Sequence, residues 1–250
     1  MKLKIVSSSS KGNCYILTDT KGEILVIEAG VKQMQLLSAI GFKPANVSGC
    51  IITHEHGDHA KSAIQFRNLG FPTYATNGTI DAICKDSELD KERFSVVIPG
   101  VAYQIGSYKV LPFSVHHDAA DPVGYIIRHP ESGDIVFATD TYFIDYKFSG
   151  ISNWIIEANY CEDIVTELSE SGLSNMHTMD RTFTSHMSLQ SCIKTLKKQD
   201  LSSTNNIVLI HLSDRNSDEK LFEHKVLTEI GIKPVIACDN LEIDFNKTAF

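Results

Sequence analysis

The sequence has 250 residues, of which 42% are hydrophobic and 22% charged, and these proportions suit a globular protein with a substantial core. A formal net charge of −8 argues against a protein that coats nucleic acid through a basic surface. No apolar run reaches the roughly 18 residues of a membrane span, and the N-terminus lacks the apolar core of a signal peptide. We therefore expect one cytoplasmic domain over residues 1–250 that contacts no membrane.

Six cysteines are scattered along the chain without a Cys-x-x-Cys pair. In a cytoplasmic protein such cysteines are expected to be reduced and largely buried. The sequence therefore predicts neither a structural zinc knuckle nor a cysteine nucleophile.

The N-terminal part of the chain predicts a small sheet followed by a helix. Three strands and one helix are indicated over residues 2–6, 13–18, 23–28 and 31–40. Lys21-Gly22 has the composition of a hairpin turn, and Gly41 ends the helix. The polar stretch 7–13 is either an ordinary turn or a loop that lines a site, and the sequence leaves both interpretations open.

The rest of the chain alternates strands and helices. Strands are predicted over residues 50–52, 73–75, 94–98, 102–105, 108–115, 124–129, 134–138, 151–157, 207–210, 234–237 and 241–245. Helices are predicted over residues 60–69, 77–84 (with Asn77 as N-cap), 162–169, 189–197 and 217–230. Because no repeat or composition shift marks a boundary, this order favours an α/β protein in which two mixed β-sheets pack face to face with helices outside, a four-layer αββα sandwich.

Residues 53–59, Thr-His-Glu-His-Gly-Asp-His, place three imidazoles and two carboxylates directly after a short apolar strand. Enzymes built on a sheet commonly hold their chemistry at such strand ends. Alternate side chains of an extended segment point the same way, so His54, His56 and Asp58 can converge while His59 follows round the bend. Nitrogen and carboxylate ligands together suit zinc, and also iron or manganese. The pattern favours a metal site over an inert surface turn.

Residues of the same chemical type follow three later predicted strands. They are His116-His117-Asp118, Asp140 and His211. Each alone is more often structural, but strand ends at one edge of a sheet share a cleft. The sequence therefore predicts that these residues complete the metal site.

The pattern His-x-His-x-Asp-His at 54–59 resembles the signature of the metallo-β-lactamase-fold superfamily, which includes lactamases, thioesterases, glyoxalases, phosphodiesterases and nucleases. The resemblance implies the αββα fold and two divalent metal ions, zinc or manganese. It assigns the first ion to His54, His56 and His117, the second to Asp58, His59 and His211, and the bridging position to Asp140. His116 falls outside this ligand set. Glu28 stands where the superfamily usually has an Asp that supports the metal loop by hydrogen bonds.

Several further segments resemble the YycJ/WalJ-like family of bacterial metallo-hydrolases, which are regarded as nucleases with exonuclease action on DNA from 5′ ends. These segments are Ser9-Ser10-Lys11-Gly12-Asn13 and residues 117–125, 156–160, 185–188 and 211–213. More distantly, Glu157 and His186 resemble a glutamate–histidine pair that assists proton transfer in the tRNA 3′-processing branch. Tyr142 and Ser217 depart from the family, which commonly has Gly and Asn there.

The resemblance implies a dinuclear metal-dependent phosphodiesterase that acts on nucleic acid, DNA rather than RNA, as a 5′ to 3′ exonuclease. Its expected catalytic residues are Asp58, Asp140, Glu157 and His186. A histidine held by a carboxylate is a suitable proton donor to the leaving oxygen of a phosphodiester. Two alternatives stay open, namely hydrolysis of a small phosphodiester such as a cyclic nucleotide, and a metal-binding partner protein without turnover.

Overall fold

Within residues 1–85, 88–171, 183 and 185–248, which the computed structural model describes, the chain forms two mixed β-sheets of seven strands each. The first sheet contains β1 (Lys2–Ser9), β2 (Gly12–Thr18), β3 (Ile24–Ile27), β4 (Val47–Ile51), β5 (Thr73–Ala75), β6 (Ser95–Val96) and β14 (Glu242–Asp244). The second contains β7 (Tyr103–Ile105), β8 (Tyr108–Ser114), β9 (Val123–His129), β10 (Gly133–Ala138), β11 (Ile151–Glu157), β12 (Asn206–Ile210) and β13 (Val235–Ile236).

Each sheet is antiparallel in one half and parallel in the other. The first sheet has the order β14-β1-β2-β3-β4-β5-β6, with parallel pairing from β3 to β6. The second has the order β13-β12-β11-β10-β9-β8-β7, with parallel pairing from β10 to β13. The carboxyl ends of parallel neighbours lie at one edge of their sheet, and this arrangement positions the site described below.

Helices connect the strands and cover the outer faces of the sheets. They are α1 (Gln33–Ala39), α2 (Gly57–Ala60), α3 (Ala63–Asn68), α4 (Asn77–Ile83), α5 (Glu88–Lys91), α6 (Glu162–Glu170), α7 (Leu189–Lys197) and α8 (Glu219–Ile230), with a 3₁₀ turn at Pro44–Asn46. None of the helices in the described ranges is long and apolar enough to span a bilayer.

Three apolar clusters separate the four layers. The central cluster joins both sheets, with Leu17 and Ile51 from the first and Tyr125 and Phe137 from the second, all fully buried. One outer cluster packs the first sheet against helices, and the other packs the second sheet against α7 and α8. The predicted αββα sandwich is confirmed. Because one core unites both sheets, we keep a single domain over residues 1–250 as a proposal.

Local differences from the sequence prediction concern the ends of elements. The stretch 7–13 is not a loop, because β1 continues to Ser9 and β2 begins at Gly12. The predicted helix 60–69 is instead two short helices, and the first begins inside the histidine motif at Gly57. Helix α4 is capped by Thr76 rather than Asn77, since the side chain of Thr76 accepts a hydrogen bond from the Thr79 amide.

The cysteines agree with the prediction for a reduced protein. All six are free, and each is buried except Cys238, which is exposed. Burial raises the pKa of the Cys50 and Cys192 thiols, so these side chains behave as apolar groups in the core.

Candidate metal centre

The structure brings together the residues that the sequence predicts for the site, mostly at the carboxyl ends of strands. These residues are His54 to His59 after β4, His117 after β8, Asp140 after β10, Glu157 at the end of β11, His186 before α7 and His211 after β12. Glu28, Asp140 and His211 have positive φ angles of 69°, 47° and 56°. Such angles are uncommon outside glycine, and they concentrate at functional sites where the surrounding structure holds them.

Three imidazoles form the first group of candidate ligands. Ring nitrogens of His54, His56 and His117 lie within 4.8 Å of one another. Nδ1 of His117 lies 2.9 Å from the carbonyl oxygen of Ser185, which can only accept a hydrogen bond. His117 therefore carries its proton on Nδ1, and its Nε2 offers a lone pair 3.1 Å from Nδ1 of His56.

The second group combines a carboxylate with two imidazoles. Oδ2 of Asp58 lies 3.2 Å from Nε2 of His59 and 3.2 Å from Nε2 of His211. All three residues can direct one ligand atom to a common point, since these atoms lie within 4.8 Å of one another.

Asp140 links the two groups. Its Oδ2 lies 2.8 Å from Nε2 of His59, and Asp140 also forms a compact cluster with His54 and His59. Its Oδ1 lies 3.0 Å from Nδ1 of His186. One buried carboxylate thus reaches both sets of ligand atoms, as a bridging residue would.

The unpaired atoms and charges of this site fit divalent cations. Nε2 of His54 is buried and has no hydrogen-bond partner in the part of the chain that the structure describes. An orphaned buried nitrogen is costly, and a bound cation would give this one a partner. Burial holds the pKa of His54 well below its usual range and also lowers the pKa of His117, so both rings are neutral at pH 7. Neutral imidazoles are the form that binds zinc or manganese.

Asp140 supplies the negative charge at the centre. Burial opposes ionisation, but the neighbouring His211 and His59 hold the pKa of this carboxyl well below its usual range. The carboxylate is therefore ionised at pH 7 and can bind a cation directly.

His186 and Glu157 form a pair beside the two groups of ligands. Nδ1 of His186 lies 2.7 Å from Oε1 of Glu157, whose carboxylate is fully buried. Oε2 of Glu157 accepts hydrogen bonds from the amides of Thr141 and Met187 at 3.1 and 3.2 Å. Although burial opposes it, Glu157 and Asp140 raise the pKa of His186 to about 11. His186 is therefore protonated at pH 7 and can donate a proton.

Comparison with protein-family models matches residues 10–188 to the family described as "Metallo-beta-lactamase superfamily". The chain belongs to the metallo-beta-lactamase superfamily. The predicted resemblance is thereby confirmed on most of the chain, including the complete histidine motif, Asp140, Glu157 and His186.

Curated relatives in this superfamily are exodeoxyribonucleases. Exodeoxyribonuclease WalJ of Streptococcus pneumoniae is 27% identical over 242 residues, which cover 92% of this chain and 88% of that protein. Exodeoxyribonuclease YycJ of Bacillus anthracis is 29% identical over 174 residues, which cover 64% of this chain and 63% of that protein. The superfamily and these relatives identify the chain as a metal-dependent hydrolase.

A solved structure supports the fold. Zn²⁺-bound PqqB from Methylobacterium extorquens superposes with a TM-score of 0.74 at 14% identity, covering 98% of this chain and all of that chain (100%). At this level of identity the similarity concerns the metallo-beta-lactamase fold alone.

Glu28 is the residue at which this superfamily member departs from the usual Asp. Its Oε1 lies 3.6 Å from Nδ1 of His59, and its Oε2 accepts a long hydrogen bond of 3.5 Å from the Thr53 amide. Burial raises the pKa of Glu28, although His59 opposes this. The longer side chain faces Nδ1 of His59, but neither Nδ1 nor Oε1 of Glu28 has a hydrogen-bond partner among the described residues. The long contact with the Thr53 amide is the hydrogen bond that the Glu28 carboxylate makes to the metal loop.

Two amides at the site lie outside the predicted set of ligands and catalytic residues. Nδ2 of Asn13 lies 3.3 Å from Oδ2 of Asp58 and 3.1 Å from Nε2 of His59. Nδ2 of Asn159 donates to the carbonyl oxygen of His211 at 2.8 Å. Asn13 fits the interpretation in which stretch 7–13 lines the site. The signal for Asn159 was its place two residues after Glu157, which ends β11.

Gly30 allows the metal loop to pack closely on its neighbours. A Cβ atom at this position would lie 1.7 Å from the carbonyl oxygen of Asp58, and no side chain can fit there. The Gly30 amide also donates to the carbonyl oxygen of Asn13 at 2.9 Å. The glycine thus lets three segments of the site approach one another at backbone distance.

The remaining histidines lie apart from the ligand groups or outside the described residues. His116 is half-exposed, and its Nε2 lies 2.6 Å from Oδ2 of Asp145. His129 is buried and lies 3.1 Å from the Ser107 hydroxyl, whereas His224 is exposed on α8. His177 lies outside the described residues.

Ser217, the departure from the family's second Asn, supports the loop after His211. Its hydroxyl donates to the carbonyl oxygen of Ser213 at 2.7 Å. This hydrogen bond stabilises the loop between β12 and α8. It joins two residues of that loop and involves none of the candidate ligands.

Proposed function

We propose that this protein is a nuclease that uses two divalent metal ions, zinc or manganese, to hydrolyse DNA from 5′ ends. Support for the substrate comes from WalJ and YycJ, which are both named exodeoxyribonucleases. Support for the chemistry comes from the geometry of His186 and Glu157 beside Asp140. This pair is the observation that carries the proposal, because cleavage of a phosphodiester requires a proton for the leaving oxygen.

In the proposed centre each metal ion would be held by its own group of ligands, with Asp140 contributing to both sites. The first ion would be held by His54, His56 and His117, and the second by Asp58, His59 and His211. The bound ions would supply Lewis-acid activation of water and neutralise charge on the phosphate. Asp58 has a further proposed role, because its side chain is 23% exposed and can accept a hydrogen bond from the attacking water.

His186 is the proposed general acid. Its Nδ1 is held by carboxylates, so the proton available to a substrate is on Nε2 of the imidazolium. As the water oxygen bonds to phosphorus, the bond from phosphorus to the 3′ oxygen breaks and that oxygen takes the proton. The products are a 5′ phosphate and a 3′ hydroxyl, and the proton released by the water restores His186 through solvent.

We also propose that the enzyme acts in the cytoplasm. Six free cysteines, with every one except Cys238 buried, suit a reducing compartment. The interaction partner in this proposal is the nucleic acid itself.

The proposal is tested by digesting end-labelled DNA and RNA, single- and double-stranded, in parallel with a cyclic nucleotide and with zinc, manganese or cobalt. The expected result is release of 5′ mononucleotides from DNA, with the 5′ label appearing first. An Asp140→Ala variant purified in the same way controls for contaminating nucleases.

Other outcomes of this assay would replace the proposal. Hydrolysis of the cyclic nucleotide without cleavage of DNA or RNA would indicate a small-molecule phosphodiesterase. Release of the 3′ label first would reverse the polarity. Full metal occupancy without turnover on any substrate would indicate a metal-binding partner protein.

A further inference from the structure

An aromatic patch borders the metal centre and has no role in the proposed chemistry. It consists of His116, Tyr142 and Phe143. The rings of His116 and Phe143 stack with centroids 4.4 Å apart at 13°. The Tyr142 ring lies 4.7 Å from the Phe143 ring and 5.4 Å from the His116 ring.

The position of the patch follows from its neighbours in the chain. His116 directly precedes the candidate ligand His117, and Tyr142 lies two residues after Asp140. The Tyr142 amide donates to the carbonyl oxygen of His116 at 3.4 Å, so the two segments lie side by side at the edge of the ligand groups. A polymer whose phosphate reaches the ligands can therefore extend over these rings.

The patch is exposed but held firmly at its base. The Tyr142 residue is 39% exposed, and the His116 side chain is 42% exposed. Thr141 ties the segments together, because its hydroxyl accepts from the His116 amide at 3.1 Å and donates to the Phe143 carbonyl oxygen at 2.8 Å. The Thr141 amide in turn donates to Glu157 at 3.1 Å. The same carboxylate thus anchors both the patch and His186.

We propose that this patch is a stacking platform for one unpaired base of the substrate strand, next to the phosphate that is cleaved. The inference rests on the proposed nuclease function and specifies how that site holds its substrate. Exposed, preorganised aromatic rings beside a phosphate-binding site suit single-stranded nucleic acid, because every base offers a flat face for stacking. Tyr142 provides the main contact, since it is the ring that projects where the family commonly has no side chain.

The test is a double-mutant cycle in which the Tyr142 side chain and one substrate base are removed separately and together. KM and kcat are measured for wild-type protein and Tyr142→Ala on a short single-stranded DNA and on versions with an abasic nucleotide at the first, second or third position from the end. Stacking on an aromatic ring strengthens binding about ten- to a hundredfold per base, so Tyr142→Ala should raise KM by that order. At one of these positions, removing the base should raise the KM of wild type by the same factor as Tyr142→Ala does on intact DNA. The KM of Tyr142→Ala should not rise further on that abasic substrate, because the stacking contact is already lost.

Matched controls separate stacking from structural damage. Tyr146 is a tyrosine of the same segment that is 42% exposed, but its ring packs on Phe113 and Phe148 and not on the patch. Tyr146→Ala should therefore leave KM unchanged. Tyr142→Phe should restore the wild-type KM because stacking does not need the hydroxyl. Metal content should be equal in wild type and Tyr142→Ala, because Tyr142 belongs to neither group of candidate ligands.

The two proposals fail in different ways. In one case, wild type cleaves DNA while the increases in KM from Tyr142→Ala and from base removal are independent at every position. That result would contradict the stacking platform but leave the proposed nuclease function intact. If wild type hydrolyses only the cyclic nucleotide, the nuclease itself is wrong, and the platform goes with it. An RNA strand of the same sequence serves as a further arm, and equal coupling there would extend the platform to both nucleic acids.

Discussion

Nδ1 of His186 lies 2.7 Å from Oε1 of the buried Glu157, and this contact determines which nitrogen of the ring can serve a substrate. The other oxygen of Glu157 is fixed by the amides of Thr141 and Met187. Because the carboxylate is held on both oxygens, the imidazole is fixed with Nε2 outside the hydrogen bonds that the described residues make. Neither residue is needed to complete the two groups of ligands, although ligand atoms of both also lie within 4.8 Å of those of Asp140 and His211. We expect proton donation and metal binding to be separable by mutation.

His186→Ala is therefore expected to reduce DNA cleavage while metal content stays unchanged. A lost general acid typically lowers the rate about a hundred- to ten-thousandfold. The loss should be much smaller on a nitrophenyl phosphodiester, because nitrophenolate departs without a proton. The measurements are single-turnover rates on both substrates and metal content by elemental analysis.

His224→Ala, which removes an exposed histidine from α8, is the matched control and should behave as wild type. Equal damage by His186→Ala on both substrates would assign His186 to positioning, and the group that protonates the leaving oxygen would then have to be sought elsewhere.

Asp140→Asn should remove the coupling between the two metal ions. The variant keeps the size of the side chain but loses the charge that contacts both groups of ligands. Wild-type protein should gain about 4 kcal/mol of unfolding free energy when the metal is present at a thousand times its Kd. In Asp140→Asn this gain should be largely lost, as measured by denaturant unfolding with and without a chelator.

Asp244→Asn is a suitable control, because this aspartate is exposed at the edge of the first sheet. Two metal ions bound per chain in Asp140→Asn, with wild-type stabilisation, would rule out the bridging role.

His116 and His117 should differ sharply although they are neighbours. His117 directs Nε2 toward His56, whereas His116 turns outward to Asp145. His117→Ala should lose binding of one metal ion, and His116→Ala should retain both ions, as measured by metal titration. The opposite result would mean that the ligand register is shifted by one residue.

The ligands could be predicted because each follows an apolar run that identifies a strand end. Ile207–Ile210 before His211 and the run before Asp140 are fully buried strands, so a polar residue directly after them has to lie at the edge of a sheet. Stretch 7–13 was ambiguous because its serines and glycine carry no strand signal. The pairing of Ser8 with Asn13 extends the hairpin, and it depends on the neighbouring strand rather than on local propensity.

Long-range contacts explain what the sequence did not reveal. Asn13 meets His59 across 46 residues, and Asn159 meets His211 across 52. An amide has no sequence pattern that identifies its partner at such separations. Thr76 and Asn77 are both good capping residues, and the choice between them is made by Asp121, whose carbonyl oxygen accepts from the Thr76 hydroxyl at 2.7 Å.

Glu131 is expected to stabilise the fold at neutral pH but not in strong acid. Slight burial opposes it, but hydrogen bonds from Thr20 and the nearby amino group of Met1 lower the pKa of Glu131 to about 2. A lowered pKa in the folded state stabilises the fold above the ordinary value of 4.5, and this contribution is lost as the pH falls toward 2. Glu131→Gln should therefore be less stable than wild type at pH 7 and equally stable near pH 2 in urea unfolding. A constant difference at both pH values would contradict this account.

Glu28→Gln should weaken metal binding without removing a ligand. Glu28 faces Nδ1 of His59 at 3.6 Å, and Asp140 and Glu28 together raise the pKa of His59 against the effect of burial. A carboxylate behind a metal-binding imidazole keeps the ring proton on the nitrogen that faces the carboxylate, here Nδ1, and makes Nε2 a stronger ligand. Glutamine has the same reach but no charge, so the affinity for zinc should fall about ten- to a hundredfold. Competition with a chromophoric chelator measures this affinity, and Glu131→Gln, the same change far from the site, is the control. An unchanged zinc affinity in Glu28→Gln would show that Glu28 supports the loop only through its contact with the Thr53 amide.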